Sequence, residues 1–294
     1  MPRAGPRPPR AGGVAAPSGQ RGAADLRGDP PHAMMLGLRR SVLSTVVLAN
    51  AKAKRLAIRL TKWTGKSRDY VHPKHLLADT LEHYWYLEYV APGAALLDVG
   101  CGNGMHTLKA ARRGARVAGV DASLASLGVG LRASRQAGAH VSFVATNVEE
   151  GLPIVSRRFD TVLCLDLLEH VYKRDLVLSE IRRVLKPSGI LLLGVPNRAT
   201  AWKRRLERAG LPVYSDPDHK IEYTLDELRD ELARGGFAIE RLLPSVYDTP
   251  LTGLIDVVGG LSLPAYRYLT DLRRRLVARW PDENAGFYAV CSVR

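Results

Sequence analysis

The stretch that most constrains this chain runs from Leu96 to Ser123, LLDVGCGNGMHTLKAARRGARVAGVDAS. An apolar strand closes on Asp98 and passes into a loop with glycine at 100, 102 and 104. A helix follows, and then a second apolar strand that ends on another acid, Asp121. Glycine at these positions lets the backbone turn tightly and approach a ligand without a Cβ in the way. A strand–loop–helix–strand unit of this kind sets the loop at the carboxyl end of a parallel sheet, where open α/β folds bind ligands. An acid at the tip of the second strand can accept both hydroxyls of a ribose. Together these features describe a nucleoside-binding half-site.

The loop reads D-x-G-x-G-x-G, whereas dinucleotide folds use G-x-G-x-x-G to set a helix N-terminus against a pyrophosphate. An acid at its head suits a cationic amino-acid group better than a pyrophosphate. This block resembles motif I of the class I S-adenosylmethionine-dependent methyltransferases. The likeness continues in family order through FVATNVEEGLP, FDTVLCLDLLEHV and EIRRVLKPSGILLLGVPN, and covers roughly residues 96–197. It implies that Asp98, Gly100, Cys101, Gly102, Asn103 and Gly104 surround the methionine and ribose of S-adenosylmethionine. Asp121 and Ala122 then hold the ribose diol, Asn147 and Val148 meet the adenine, and Asp166 closes the donor site. Asn147 stands where the family usually has Asp, but its carbonyl can still accept from the adenine amine. Its other reading is a strand-end turn residue.

After the fourth strand comes Asp166-Leu167-Leu168-Glu169-His170. Residues at i, i+3 and i+4 share a helix face, so these two acids and the imidazole can converge as a general base or a metal site. The run resembles the acid-x-x-Glu-His signature of ubiquinone-biosynthesis O-methyltransferases. That resemblance implies a divalent cation, Mg2+, at Asp166, Glu169 and His170, lowering the pKa of the acceptor hydroxyl. The base or orienter reading of Glu169 and His170 is preferred, since the triad lacks a full ligand set without a substrate oxygen. His219, in the cluster SDPDHK with Asp216 and Asp218, is a second candidate base, or else a solvated loop histidine. His72, His75 and Trp85 are expected to border the donor pocket, with core packing an equal reading of Trp85. The basic runs 203–205 and 273–275 read as solvated helix faces.

Residues 1–74 hold 15 Lys or Arg against 3 Asp or Glu, while the other 220 residues hold 28 against 26. The basic character therefore belongs to the leader, and a near-neutral core disfavours a nucleic-acid partner. Strand four also leads into DLLE, not the D/N-P-P-Y run that grips an exocyclic amine. Residues 1–33, rich in Pro, Gly, Ala and Arg, are expected to be disordered or to precede the true start at Met34 or Met35. Residues 34–74 are expected to form a basic amphipathic extension that packs over the site or lies peripherally on a membrane. Arg39-Arg40 and the apolar run after them mimic a signal peptide, but Lys52, Lys54 and Arg55 follow at once and the implied donor is cytosolic. The expected location is cytoplasmic, and Cys101, Cys164 and Cys291 show no metal spacing.

Residues 75–294 alternate strands and helices as a parallel sheet with crossovers requires. Strands are expected at 94–98, 116–121, 140–145, 159–165, 190–195, 238–243 and 286–293. Helices are expected at 74–89, 123–137 and 175–186, the last stopped by Pro187-Ser188-Gly189, and at 224–235 with a Thr224–Glu227 capping box. This is a Rossmann-like α/β fold: seven mostly parallel strands with an antiparallel last strand, and helices on both faces. Insertions at about 198–223 and 244–284 are expected to act as lids over the acceptor. The function that follows is methylation, on oxygen, of a small-molecule or lipid-like acceptor. The alternatives are a nucleic-acid or protein methyltransferase and a non-catalytic scaffold of the same fold.

Overall fold

The computed structural model describes residues 30–65, 72–80 and 84–294, so the expected disordered leader lies almost wholly outside the described residues. Seven strands form one sheet: β1 (Ala95–Val99), β2 (Arg116–Asp121), β3 (Val141–Ala145), β4 (Phe159–Leu165), β5 (Leu185–Pro196), β6 (Phe237–Pro244) and β7 (Gly286–Val293). Their spatial order is β3-β2-β1-β4-β5-β7-β6. β1 pairs in parallel with β2 and β4, and β7 runs antiparallel between β5 and β6. This is the sheet expected from the alternation of elements.

The helices are α1 (Pro30–Trp63), α2 (Pro73–Thr80), α3 (Met105–Arg112), α4 (Leu124–Gln136), α5 (Arg174–Val184), α6 (Ala201–Arg208), α7 (Leu225–Arg234), α8 (Thr252–Leu261) and α9 (Leu263–Arg279). Side chains alternate across the strands, so the sheet carries a core on each face. Leu97, Val162 and Leu191 pack with Val177, Leu178 and Ile181 of α5 on one side. Leu96, Leu163 and Leu192 pack with Tyr86, Leu87 and Ala110 on the other. The capping box of α7 is present, with Thr224 and Glu227 each bonding the other's backbone N–H.

Three local expectations are corrected. The helix expected at 74–89 is broken. α2 stops at Thr80 and the chain returns as a 3-10 turn, Trp85–Tyr89. Tyr86 is there driven fully into the core and Trp85 stacks on Tyr288 with ring centroids 4.7 Å apart, packing that a continuous helix would not allow. Pro187-Ser188-Gly189 does not follow the end of α5 but lies inside β5. The strand begins at Leu185, and its register against β4 shifts between Phe159 and Thr161. The basic runs are not wholly solvated. Lys203 and Arg273 are buried, Lys203 against Glu222 and Arg273 donating from Nε to the Tyr247 carbonyl.

The two insertions are ordered. The first holds α6 and the loop that carries His219; the second holds α8 and α9. α1 lies along α8, where contact is close enough that a Cβ on Gly253 would sit 2.5 Å from the Asn50 carbonyl. Asn50 Oδ1 also accepts from the Gly253 N–H at 2.6 Å. No helix among the described residues is long and apolar enough to cross a membrane.

Candidate active site

The glycine loop leaves β1 at the sheet's carboxyl edge. Gly102 has φ +53, and a Cβ there would meet nothing within 4 Å, so this stretch of backbone faces open space. At Gly100 (φ +73) a Cβ would instead stand 2.8 Å from Leu167, which ties the loop to the tip of β4. Asp121 is locked in place by two backbone donors, Gly102 N–H to Oδ2 and Ser123 N–H to Oδ1, both 2.8 Å. Each carboxylate oxygen keeps a lone pair, enough for the two hydroxyls of a ribose. Asp98 is buried and accepts from the Thr107 hydroxyl at 2.6 Å. Burial outweighs that bond and pushes Asp98 up to about 6.

Cys101 is buried behind the loop with its thiol pushed up, burial being the main cause. Asn103 and Ala122 flank the open side, neither of them buried. Asn147 Oδ1 accepts from Glu149 N–H at 3.1 Å and its amide donates to Glu150 at 2.8 Å, so the side chain already holds the turn before the buried Val148. An open backbone cradle, a fixed diol-accepting acid and a buried carboxylate fit the nucleoside and cationic head group of S-adenosylmethionine.

Two polar groups stand beside this cradle. The first gathers on Asp166, whose backbone takes the left-handed φ of +51 while its N–H donates to Gly194 O at 3.0 Å. A non-glycine residue there costs about 1–3 kcal/mol, a strain typical of functional sites. Its carboxylate pairs with Lys74 Nζ of α2 at 2.6 Å. The low-dielectric surroundings work against ionisation of Asp166, although its side chain is 46% exposed, but the Lys74 charge prevails and brings it to about 2. Nearby, burial lowers His75 to about 4 and His106 to about 3, so both are neutral at pH 7. Tyr86 bonds His106 Nδ1 at 2.9 Å, and Tyr84 reaches the Tyr288 hydroxyl at 3.5 Å.

The second group joins Glu169 and His170, in the turn Leu168–His170, to the inserted loop. The Glu169 carbonyl accepts from Lys220 N–H at 2.7 Å, and this brings the His219 ring edge-on to His170 with centroids 4.7 Å apart. Candidate ligand atoms of Glu169, His170 and His219 all lie within 4.8 Å of one another. Glu169 is 1 % exposed, and its Oε2 has no partner among the described residues. Burial, and then the Asp166 charge, push it up to about 8. Burial, followed by His219, lowers His170. Asp216 turns its own loop, accepting from Asp218 N–H at 2.9 Å.

Behind His219 lies a carboxylate that sequence reading missed. Glu222 Oε1 stands 2.7 Å from His219 Nδ1 and accepts from the Ser215 hydroxyl at 2.5 Å, while Oε2 meets Lys203 Nζ at 2.5 Å. Burial would raise Glu222, but these bonds and the Lys203 charge bring it down to about 2. A buried ionised carboxylate on one imidazole nitrogen orients the ring and presents the other nitrogen as a base.

The family profile described as a methyltransferase domain matches residues 97–193, the stretch from the first acid to the fifth strand. Residues 97–193 are thus those of a methyltransferase domain. Among curated proteins, it is 38% identical over 107 residues to a ubiquinone biosynthesis O-methyltransferase of Hahella chejuensis, covering 36% of this chain and 45% of that one. It is 31% identical over 167 residues to the enzyme of the same description from Brucella anthropi, covering 53% and 64%. The chain thus spans about half to two thirds of the length of these relatives. Among solved structures, a SAM-dependent methyltransferase of Methanosarcina mazei matches at a TM-score of 0.51 and 19% identity, over 73% of this chain and 100% of that one. The [4+2]-cyclase SpnF matches at 0.50 and 22%, over 70% and 77%. At these identities the two structures share the fold of the methyltransferase domain, and the fold alone.

Proposed function

We propose that this chain transfers a methyl group from S-adenosylmethionine to an oxygen of a small-molecule or lipid-like acceptor. The observation that carries the reading is His219, seated on ionised Glu222 beside Glu169 and His170, next to a β4 tip that touches the donor loop. The names of the curated relatives support oxygen as the nucleophile. The bound donor supplies an electrophilic methyl group, whose sulfur leaves as a neutral thioether. Asp121 and the backbone at Gly102 hold the nucleoside, and Asp98 faces the cationic head group. Fixing the acceptor in line with the methyl carbon can supply ~7–11 kcal/mol. As the acceptor oxygen bonds to that carbon and the carbon–sulfur bond breaks, His219 Nε2 takes the hydroxyl proton. Glu222 touches no substrate; it positions His219 and steadies the imidazolium. Neutral His170 and protonated Glu169 shape the acceptor side of the pocket.

The test uses methyl-labelled donor, the purified protein and a host extract, with label partitioned between organic phase, small aqueous molecules, RNA and protein. Label is expected in the organic or small-molecule fraction. His219→Ala should cut its rate by about 10²–10⁴, the range of a general base, with S-adenosylhomocysteine affinity unchanged. Label in RNA or protein would replace the acceptor class. Donor binding with no labelled product in any fraction would leave a scaffold, or a fold used for other chemistry.

A further inference from the structure

The signature Asp166-x-x-Glu169-His170 implies a divalent cation beside Asp166, and the residues present do not fit one. Mg2+ takes a near-octahedral set of oxygens. Here the Asp166 carboxylate already holds the Lys74 ammonium at 2.6 Å. What remains within reach of Glu169 is two imidazoles, His170 and His219, a nitrogen-rich set that magnesium does not favour.

From this disagreement we infer that the Lys74 ammonium stands in the place of the divalent cation and is the positive charge that faces the acceptor oxygen. The inference rests on the methyltransferase reading above and adds a residue to it. Three features place Lys74 there. α2 begins at Pro73, a favoured first helical residue. It is pressed on α8 so closely that a Cβ on Gly259 would lie 2.5 Å from Pro73. Just before it, His72 Nε2 stands 3.3 Å from the buried Asp256 of α8. The helix start is therefore anchored at two points on α8, and Lys74 projects from it to Asp166. Opposite, Asp166 is fixed by its left-handed backbone and its bond to Gly194.

The charges around the pair fit this role. The surroundings of Lys74 oppose its charge, and the ionised Asp166 carboxylate beside it prevails and keeps the ammonium charged. His75 and His106, packed beside the pair, are neutral at pH 7. Lys74 has three N–H donors, and Asp166 takes one. Two remain for an acceptor oxygen as its proton departs to His219. An ammonium can stabilise that developing oxyanion as a metal would, without an ion to bind or lose.

The experiment uses the full-length protein, Mn2+ as an EPR-visible probe, and label transfer with and without EDTA. Wild type is expected to bind no Mn2+ in the millimolar range and to transfer label equally well in EDTA. Lys74→Ala frees the Asp166 carboxylate and should take up Mn2+, while Lys74→Ala combined with Asp166→Asn should not. Lys74→Gln should lower kcat by about 10²–10³, the cost of losing one oxyanion donor, and Lys74→Arg should keep part of the rate. S-adenosylhomocysteine affinity reports folding and the donor site, and should stay within about twofold in Lys74→Gln and Lys74→Arg. Mn2+ binding that is equal in wild type and Lys74→Ala would overturn the inference, as would loss of wild-type transfer in EDTA or an unchanged rate in Lys74→Gln. If no protein transfers label, the methyltransferase reading fails, and the Mn2+ comparison still decides who occupies the place beside Asp166.

Discussion

Asp98 and Glu222 are buried carboxylates pushed in opposite directions, and the difference lies in their partners. Asp98 has one hydroxyl donor and is raised to about 6 from 3.8; Glu222 has Lys203, Ser215 and His219 and falls to about 2 from 4.5. Asp98 binds its proton more tightly folded than unfolded. Its contribution to stability is therefore present below about 3.8 and lost as pH rises through about 6. Donor binding needs the charged form, so S-adenosylhomocysteine affinity should fall as pH drops through about 6. Calorimetry across that range checks this, and Asp98→Asn should bind weakly with little pH dependence. Glu222 behaves the other way: its contribution is present above about 4.5 and lost towards pH 2. Lys203→Met strands the buried carboxylate and should cost about 3–5 kcal/mol, measured by urea unfolding at neutral pH. The donor residues were legible because Asp98, the glycines and Asp121 follow one another along a crossover unit. Lys203 and Glu222 lie 19 positions apart, and no local pattern marks their pairing. Nor did anything mark Lys74 as the partner of Asp166, 92 positions on.

At the scale of elements, strands β1 to β4 stand within a residue of where the apolar runs put them, because each is a short buried segment between turn residues. The broken helix at 74–89 was not legible, since it is set by Tyr86 meeting the His106 ring and Trp85 stacking on Tyr288, partners that lie well away in sequence. The seat of α1 on α8 depends on small residues. A Cβ on Gly260 would lie 2.8 Å from the Ala57 carbonyl, and Gly253 is as tight against Asn50. Overpacking such a contact costs about 1–3 kcal/mol. Gly260→Val should therefore loosen α1, with earlier protease cleavage between α1 and α2, while the sheet's own unfolding midpoint moves less. The same helix pair supports α2 through Pro73 and His72, so this variant should also slow methyl transfer.

For the whole molecule, the charge is distributed so that one surface is strongly cationic while the domain around the sheet is nearly neutral. α1 carries seven Lys or Arg and no Asp or Glu. One flank of it is packed on α8, and the other exposes Leu48, Leu56 and Trp63, the last at 81%, among Lys52, Arg55, Arg59 and Lys62. A helix with a basic and apolar outer face lies well on an anionic bilayer, where its apolar side chains enter the headgroup boundary. Each Lys or Arg near such a surface contributes about 1 kcal/mol, and salt screens it within a Debye length. The protein should therefore co-sediment with phosphatidylglycerol vesicles at low salt, and much less with phosphatidylcholine alone. Arg55→Gln with Arg59→Gln should weaken that binding by about 2 kcal/mol, roughly thirtyfold, and leave donor affinity unchanged because α1 contributes nothing to the glycine loop. Equal binding to both vesicle types would assign the cationic face to some other partner. Docking through α1 would bring an apolar acceptor to the enzyme along the surface that delivers it, which joins the basic helix to the oxygen chemistry proposed for the pocket.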